Sequence, residues 1–297
     1  MKRYLYILIS TVLLISVIGC DNTPSSVDYQ KEIMVFGFLW GNESLDQSHA
    51  IQISYSKPIN EPYNLDQSMI SNAEVTLTET ESGQSTQLIE SADKPGYYFN
   101  SNLMIKAGTS YTLEIQVDNN HITARTKVPS SMTILTEMRS DTVNDVFKKN
   151  LGSDVPLYLD LESQNDDRII LVEMYCNEKY NEAEYIYPFS DSHKYPEEPE
   201  EYDGGIDGEP RKIQALVPYK DLMSSDYDDN HVIYWYESMI VFYGSYTMQV
   251  FAIDDNYHYY LTTENSVYNG GIEGGLGVLG SVVGRDYALN VMKPDDK

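Results

Sequence analysis

The residues between positions 33 and 128 constrain the fold more than any other part of the chain. Apolar and polar residues alternate there in short runs, as in Ala73–Glu79, where Ala73, Val75 and Leu77 take every second position. Alternate side chains of a strand point to opposite faces, so each run predicts a strand with one buried face. Seven strands are predicted: Ile33–Leu39, Ala50–Tyr55, Ala73–Glu79, Ser85–Ile89, Gly96–Phe99, Ser110–Val117 and His121–Val128.

The spacing of these runs predicts an all-β fold. The Asp118-Asn119-Asn120 segment tolerates the positive φ of a short hairpin turn, and seven strands in about 100 residues is the size of an immunoglobulin-like sandwich. Residues 31–130 are therefore predicted to form an N-terminal immunoglobulin-like antiparallel β-sandwich. The pattern changes after Pro129, so a second β-rich domain is expected over residues 131–297.

The second region has weaker signals. Leu157–Leu161 and Ile169–Tyr175 are predicted strands on either side of a polar turn, and residues 231–253 are predicted to form a hairpin across Gly244-Ser245. Asp254 is a candidate N-cap for a short helix over Tyr257–Leu261. Residues 189–211 form an acidic loop rich in Pro and Gly, without periodicity, which we expect to be exposed.

The first twenty residues predict export and lipidation. Lys2 and Arg3 precede an apolar run that ends at Ile18, the layout of a secretory signal, and the run is shorter than the roughly 20 residues of a spanning helix. Val17-Ile18-Gly19-Cys20 resembles the bacterial lipobox. We predict a signal peptide over 1–19, lipid on Cys20 and a flexible tether over 20–30. The alternative is an ordinary cleaved signal with an incidental cysteine.

The net charge limits the kinds of partner that the chain can bind, and the cysteine content limits the disulfide bonds that it can form. With 20 basic and 46 acidic residues the chain has a net charge of −26, which repels phosphate backbones and excludes nucleic-acid binding. Solubility is the simplest interpretation, and a field that gathers cations or cationic peptides is the alternative. Cys176 is the one cysteine besides Cys20, so no disulfide framework is expected, and its apolar surroundings predict a buried thiol.

No motif predicts catalysis, a cofactor or a metal. Residues 275–280 spell G-x-G-x-x-G, but a dinucleotide site needs a following helix and a later acidic residue, and only 17 residues follow Gly280. Glycines of a late, closely packed strand explain the motif better. The five histidines are scattered, without metal-ligand spacing, and no G-x-S-x-G is present. The acidic segments 203–209 and 226–230 are calcium candidates, although solvated loops are favoured.

Several segments together resemble the DUF4249 family of Bacteroidetes lipoproteins. They are the strand at Ile33–Leu39, Ile70–Val75, Gly96–Tyr98, Ala107–Leu113 with Val128-Pro129, Val250–Asp254 and the glycine-rich Asn269–Gly280. The resemblance covers the mature chain, except that the acidic loop 189–211 has no match. It implies an outer-membrane lipoprotein, often encoded beside a TonB-dependent receptor, with no established activity and no catalytic residues to carry over.

The sequence therefore predicts a non-enzymatic binding protein. Its 26 tyrosines suit half-buried strands and also suit a contact surface for peptides or sugars. We expect a binding or transport accessory of a TonB-dependent receptor, tethered by Cys20 to the outer membrane and facing the periplasm or the cell surface. The alternatives are a structural or adhesive envelope protein and a hydrolase whose active site is assembled from distant residues.

Overall fold

The computed structural model describes residues 29–58, 61–62, 64–134, 143–144, 158–162, 169–178, 212–218, 231–235, 239–240, 244–263 and 270–292. The strands are β1 Ile33–Trp40, β2 Ser44–Leu45, β3 Ile51–Tyr55, β4 Glu74–Glu79, β5 Gln84–Glu90, β6 Tyr97–Met104, β7 Ser110–Val117, β8 Asn120–Lys127, β9 Val143–Asn144, β10 Tyr158–Glu162, β11 Ile169–Cys176, β12 Lys212–Pro218, β13 His231–Trp235, β14 Gly244–Ile253, β15 Ile272–Glu273 and β16 Leu276–Met292. Helix α1 spans Leu65–Ser68, helix α2 spans Asp255–Thr262, and a 3-10 turn spans Gln47–His49.

All seven predicted strands of the first region are confirmed, and the predicted alternation is clearest in β4 and β7. In β7 every second residue is buried, from Tyr111 to Val117, and in β4 Val75 and Leu77 are buried as predicted. Asp118 in the turn between β7 and β8 has φ 51°, the backbone conformation for which an Asp-Asn turn was expected. The all-β class and the immunoglobulin-like sandwich are therefore confirmed.

One curled sheet builds the sandwich. Fourteen strands are linked in the order β12-β11-β14-β16-β1-β3-β6-β5-β4-β7-β8-β15, with β2 and β9 attached to β6 and β16. The segment β16-β1-β3-β6-β5 faces the segment β4-β7-β8-β15 across a core that includes Leu39, Ile53, Leu113 and Ile122. Tyr98 lies in this core, and its hydroxyl donates to the Ile70 carbonyl at 2.8 Å. The buried faces come from the predicted alternation.

The sandwich departs from a wholly antiparallel one at β1. This strand pairs antiparallel with β3 and parallel with β16. The two parallel strands are separated by most of the chain, and a parallel pair requires a long crossover connection. The partner of β1 therefore comes from the far end of the sequence, where local patterns give no indication of pairing.

Glycines allow β16 to lie against β1. Gly277 has φ 112°, and a Cβ there would overlap the Val35 carbonyl oxygen. A Cβ at Gly280 would lie 2.8 Å from the Phe38 ring. The G-x-G-x-x-G sequence is therefore part of a strand in which backbones approach closely, as predicted, and no helix follows it within the described residues.

Strand β16 also joins a second core. Its first half pairs with β1, and its second half pairs antiparallel with β14, from Val282 to Val291. The second core contains Ile170, Met174, Met248 and Leu289, while Ile272 and Leu279 belong to the core of the sandwich. The domain boundary near residue 130 stays a prediction, and the end of the chain contributes to both cores.

The predicted hairpin across Gly244-Ser245 is wrong. Both strands exist, but β13 pairs with β10 in a separate two-stranded sheet, and β14 lies between β11 and β16. The two neighbours of β14 use both of its edges, so no edge is left for β13. The strands predicted on either side of the turn at 164–167 are also real, and β10 and β11 likewise belong to different sheets.

Candidate functional site

Helix α2 directly follows β14 and packs on β16, and the sequence Asp254-Asp255-Asn256 determines where it begins. Asp254 has extended backbone angles, and its carboxylate accepts from the Tyr257 N–H at 3.0 Å, which confirms the predicted N-cap. Asp255 follows in the first turn, where a negative charge is favourable beside the free N–H groups. The helix extends over Asp255–Thr262, a turn of chain more than predicted.

The Asp254 side chain is also the centre of a buried polar cluster. The Thr126 hydroxyl of β8 lies 2.6 Å from one carboxylate oxygen, and the Ser281 N–H of β16 donates to the other at 3.0 Å. Thr126 and Ser281 oxygens are 2.7 Å apart. Burial raises the pKa of the Asp254 carboxyl, and the hydrogen bonds from Thr126, Ser281 and Tyr257 oppose that rise. One side chain therefore connects the helix with two strands.

Asn256 adds a second connection. Its side-chain amide donates to the Arg125 carbonyl at 2.6 Å and to the Leu279 carbonyl at 2.9 Å. Arg125 lies on β8 and Leu279 on β16, so the first turn of α2 is tied to the same two strands twice. The position of the helix is therefore determined by the sandwich.

A cleft of about 860 Å³ opens beside this first turn. One wall is β8 with its neighbours, and the opposite wall is the end of β14 and the start of α2. Hydroxyls and charges line it together with a few apolar groups: Thr80, Ser110, Tyr111, Thr112, Arg125, Thr126, Lys127, Val128, Pro129, Ser130, Ile169, Ile253, Asp254, Asp255 and Asn256. Its volume is within the range of small-ligand sites.

The other side of α2 covers an aromatic surface on β1, which we call the aromatic face and define as Phe36, Phe38, Tyr257 and Tyr260. Ring centres of Phe38 and Tyr257 are 4.4 Å apart, those of Phe36 and Phe38 5.1 Å, and those of Phe36 and Tyr260 6.0 Å. Gly280 of β16 leaves room for Phe38 and Tyr257 to meet. Phe36 and Tyr260 remain 39% and 50% exposed.

Several predicted positions lie outside the described residues. They are the signal peptide 1–19, Cys20 with most of the tether 20–30, the acidic loop 189–211, and the calcium candidates 203–209 and 226–230. Within the part of the chain that the structure describes, no three His, Cys, Asp or Glu side chains are grouped to hold a metal ion. No helix there is long and apolar enough to cross a membrane.

Of the described candidates, Cys176 is buried in the second core as predicted, and burial raises the pKa of its thiol. His49 stacks on Trp40 with ring centres 4.9 Å apart and lies 3.6 Å from Glu43 and 3.7 Å from Asp46. The neighbouring Ser48 hydroxyl donates to Asp46 at 2.6 Å, so this cluster does not have the serine-to-histidine hydrogen bond of a hydrolase triad.

Sequence patterns missed most of both sites. The cap at Asp254 was recognisable, but its partners Thr126 and Ser281 are 128 and 27 residues away. The signal for the aromatic face was present in Phe36 and Phe38, which occupy the polar-face positions of β1. Apolar residues on both faces of a strand indicate that something covers the second face.

Comparison with known protein families gives a match over most of the chain. A family model described as a domain of unknown function, DUF4249, matches residues 26–295. No curated protein matches. Among solved structures, the chain is similar to the FN1–FN3 domains of chicken CNTN1, at 11% identity and a TM-score of 0.19, with 85% of this chain and 64% of that chain covered.

Proposed function

Since the chain belongs to the DUF4249 family, we propose that it is an outer-membrane lipoprotein that acts as a binding or transport accessory of a TonB-dependent receptor. The lipobox-like Val17–Cys20 segment supports a lipid anchor on Cys20, since several acyl chains on one residue hold a protein durably on a membrane. In this proposal the protein works by binding and catalyses no reaction, with its body in the periplasm or at the cell surface.

The exposed aromatic face carries the proposal. The described residues include six large apolar side chains that are exposed. Two of them, Phe36 and Tyr260, belong to this face, and a third, Tyr259, is the neighbour of Tyr260 on α2. Aromatic side chains are enriched in the contact residues of protein interfaces because they bury a large area at a small cost in side-chain entropy. A grouped, exposed set on a well-anchored helix therefore favours a docking surface.

The geometry of the rings favours a protein as the partner. Phe36 meets Phe38 at an interplanar angle of 88° and Tyr260 at 66°. Rings at these angles do not form one flat surface on which a sugar ring could stack. They can pack against the side chains of another protein, and in the outer membrane the partner that the family resemblance implies is the receptor.

Co-purification tests the receptor. The full chain, tagged at its C-terminus and extracted from outer membranes in detergent, should recover a TonB-dependent receptor. Replacing Phe36 and Tyr260 together by Ser should reduce that recovery at least about tenfold, since central aromatic contacts contribute about 2 kcal/mol or more each. Ile89→Ser is the matched control, because Ile89 is 59% exposed on β5. Recovery of no receptor, or equal recovery by both variants, would contradict the proposal.

Labelling tests the anchor. Cells fed a fatty acid with a clickable tag should label the wild-type chain, and Cys20→Ser should lose the label and leave the outer-membrane fraction. The Cys176→Ser variant should keep both label and location, since that thiol is buried. A label that persists in Cys20→Ser would show that the lipid is elsewhere.

A further inference from the structure

Side chains of opposite charge line the cleft beside α2. Arg125, Lys127 and Asp255 form no ion pair among the described residues. Arg125 and Lys127 are two residues apart on β8, so both side chains lie on the same face of the sheet, and both are exposed. Neither forms an ion pair with a described carboxylate. Two cations at one cleft with no ion pair among the described residues are notable in a chain with 20 basic and 46 acidic residues.

The opposite wall is acidic. Asp255 is exposed in the first turn of α2 and forms no ion pair among the described residues. Glu81 lies at the far end of the cation wall, where the Ser110 N–H donates to it at 3.3 Å. Hydrogen bonding from Ser110, with a smaller contribution from Lys127, lowers the pKa of the Glu81 carboxyl. Arg125 is therefore the less compensated of the two cations.

Beyond Arg125, no described strand pairs with the edge of β8 that faces the cleft. Strand β15 pairs only with Thr123 and Ala124, and the Arg125 N–H donates to the Gly271 carbonyl at 3.2 Å. Backbone groups two residues apart in a strand point the same way, so those of Lys127 also point away from β7. Ser110 of β7 lies opposite Lys127. The Ser110 N–H donates to Glu81, and the Ser110 carbonyl accepts from the Thr80 N–H, so both groups point away from β8. Lys127 thus turns its N–H and carbonyl toward the cleft.

We propose that this cleft binds a short peptide with free ends. The peptide lies extended along the β8 edge and bonds to the backbone of Lys127, as in strand addition. Its carboxylate meets the Arg125 guanidinium, whose forked donors match a carboxylate in a bidentate contact. Its ammonium group meets the Asp255 carboxylate. This assignment is independent of the receptor proposal, since it concerns purified protein and a soluble ligand.

Equilibrium dialysis tests the cleft with a mixed pool of unblocked tetrapeptides as the probe. Full-length protein in detergent should retain the pool. Arg125→Gln should weaken retention about tenfold to a hundredfold, the range expected for losing a charged hydrogen bond, and Asp255→Asn should weaken it in the same direction. Arg285→Gln is the matched control: it removes the same charge from an exposed residue of β16 that does not line the cleft.

Blocked pools identify which end is bound. Wild type should retain a pool amidated at the C-terminus as weakly as Arg125→Gln retains the free pool. Retention by Arg125→Gln should be the same for the amidated pool as for the free pool. An N-acetylated pool should behave in the same way with Asp255→Asn. Failure of wild type to retain the free pool, or equal retention by Arg125→Gln and Arg285→Gln, would overturn the assignment. Neither outcome bears on recovery of a receptor.

Discussion

Replacing Asp254 tests how the helix that carries both sites is held. In Asp254→Ala the Tyr257 N–H loses its cap acceptor, the buried Ser281 N–H loses its partner, and the Thr126 hydroxyl keeps only Ser281. In Asp254→Asn the amide oxygen can accept from both N–H groups. Its NH₂ can donate to the Thr126 hydroxyl, which then donates its own proton to the Ser281 hydroxyl oxygen. The two variants therefore separate the hydrogen bonds from the charge.

The structure sets the size of the effect. Loss of a cap costs about 1 kcal/mol, and a buried N–H without a partner costs about 1–3 kcal/mol. Asp254→Ala should therefore lose roughly 2–4 kcal/mol, which corresponds to about 4–16 °C in Tm for a chain of this size. Asp254→Asn should stay within about 1 kcal/mol of wild type. Asp93→Ala is the control, since Asp93 is exposed and outside this cluster.

The assay is thermal unfolding followed by tryptophan fluorescence, because Trp40 packs against Phe251 in the apolar cluster under α2. The pH dependence has a definite sign. Burial raises the pKa of Asp254 above its ordinary value of 3.8, so the folded state binds the proton more tightly than the unfolded state. Wild type should therefore lose stability relative to Asp254→Asn as pH rises from about 3.8 through the folded-state pKa. Equal Tm values for the Ala and Asn variants would refute the hydrogen-bond account.

Two further predictions concern the strands and the second core. Gly277→Ala should lose more than about 4 kcal/mol of unfolding free energy or fail to fold, since its Cβ would overlap the Val35 carbonyl. Gly83→Ala is the control: Gly83 has φ 69° with open space around it, so this variant should lose only about 1–2 kcal/mol. Denaturant titration measures both values. Cys176 should react with iodoacetamide at neutral pH at least about a hundredfold more slowly in native protein than in urea, because only the thiolate reacts and burial raises its pKa. Similar rates in both states would show that the second core is open.

Local chemistry predicted those parts of the fold that depend on neighbours in sequence. The alternation of Val75 and Leu77, the turn at Asp118 and the cap at Asp254 each involve residues a few positions apart, and each is confirmed. The positions of most strands of the sandwich could therefore be predicted from the sequence.

Which strands pair with one another could not be predicted in the same way. Whether β14 lies beside β13 or between β11 and β16 depends on edges contributed by distant segments, and periodicity carries no information about them. The same applies to the sites, because Thr126, Ser281 and Asn256 come together only after β8, β16 and α2 are in place. Glycines at 275–280 gave one hint, since they indicated a close backbone approach without identifying β1 as the neighbour.

Photo-crosslinking in living cells tests the central claim, docking through the aromatic face, most directly. A photoreactive phenylalanine analogue replaces Tyr260, which is half exposed on α2, or Ile89, which is exposed on β5. We predict that irradiation joins position 260 to a TonB-dependent receptor of the outer membrane, while position 89 gives no such product. Absence of a receptor adduct at position 260, or the same adduct from both positions, would contradict docking through this face.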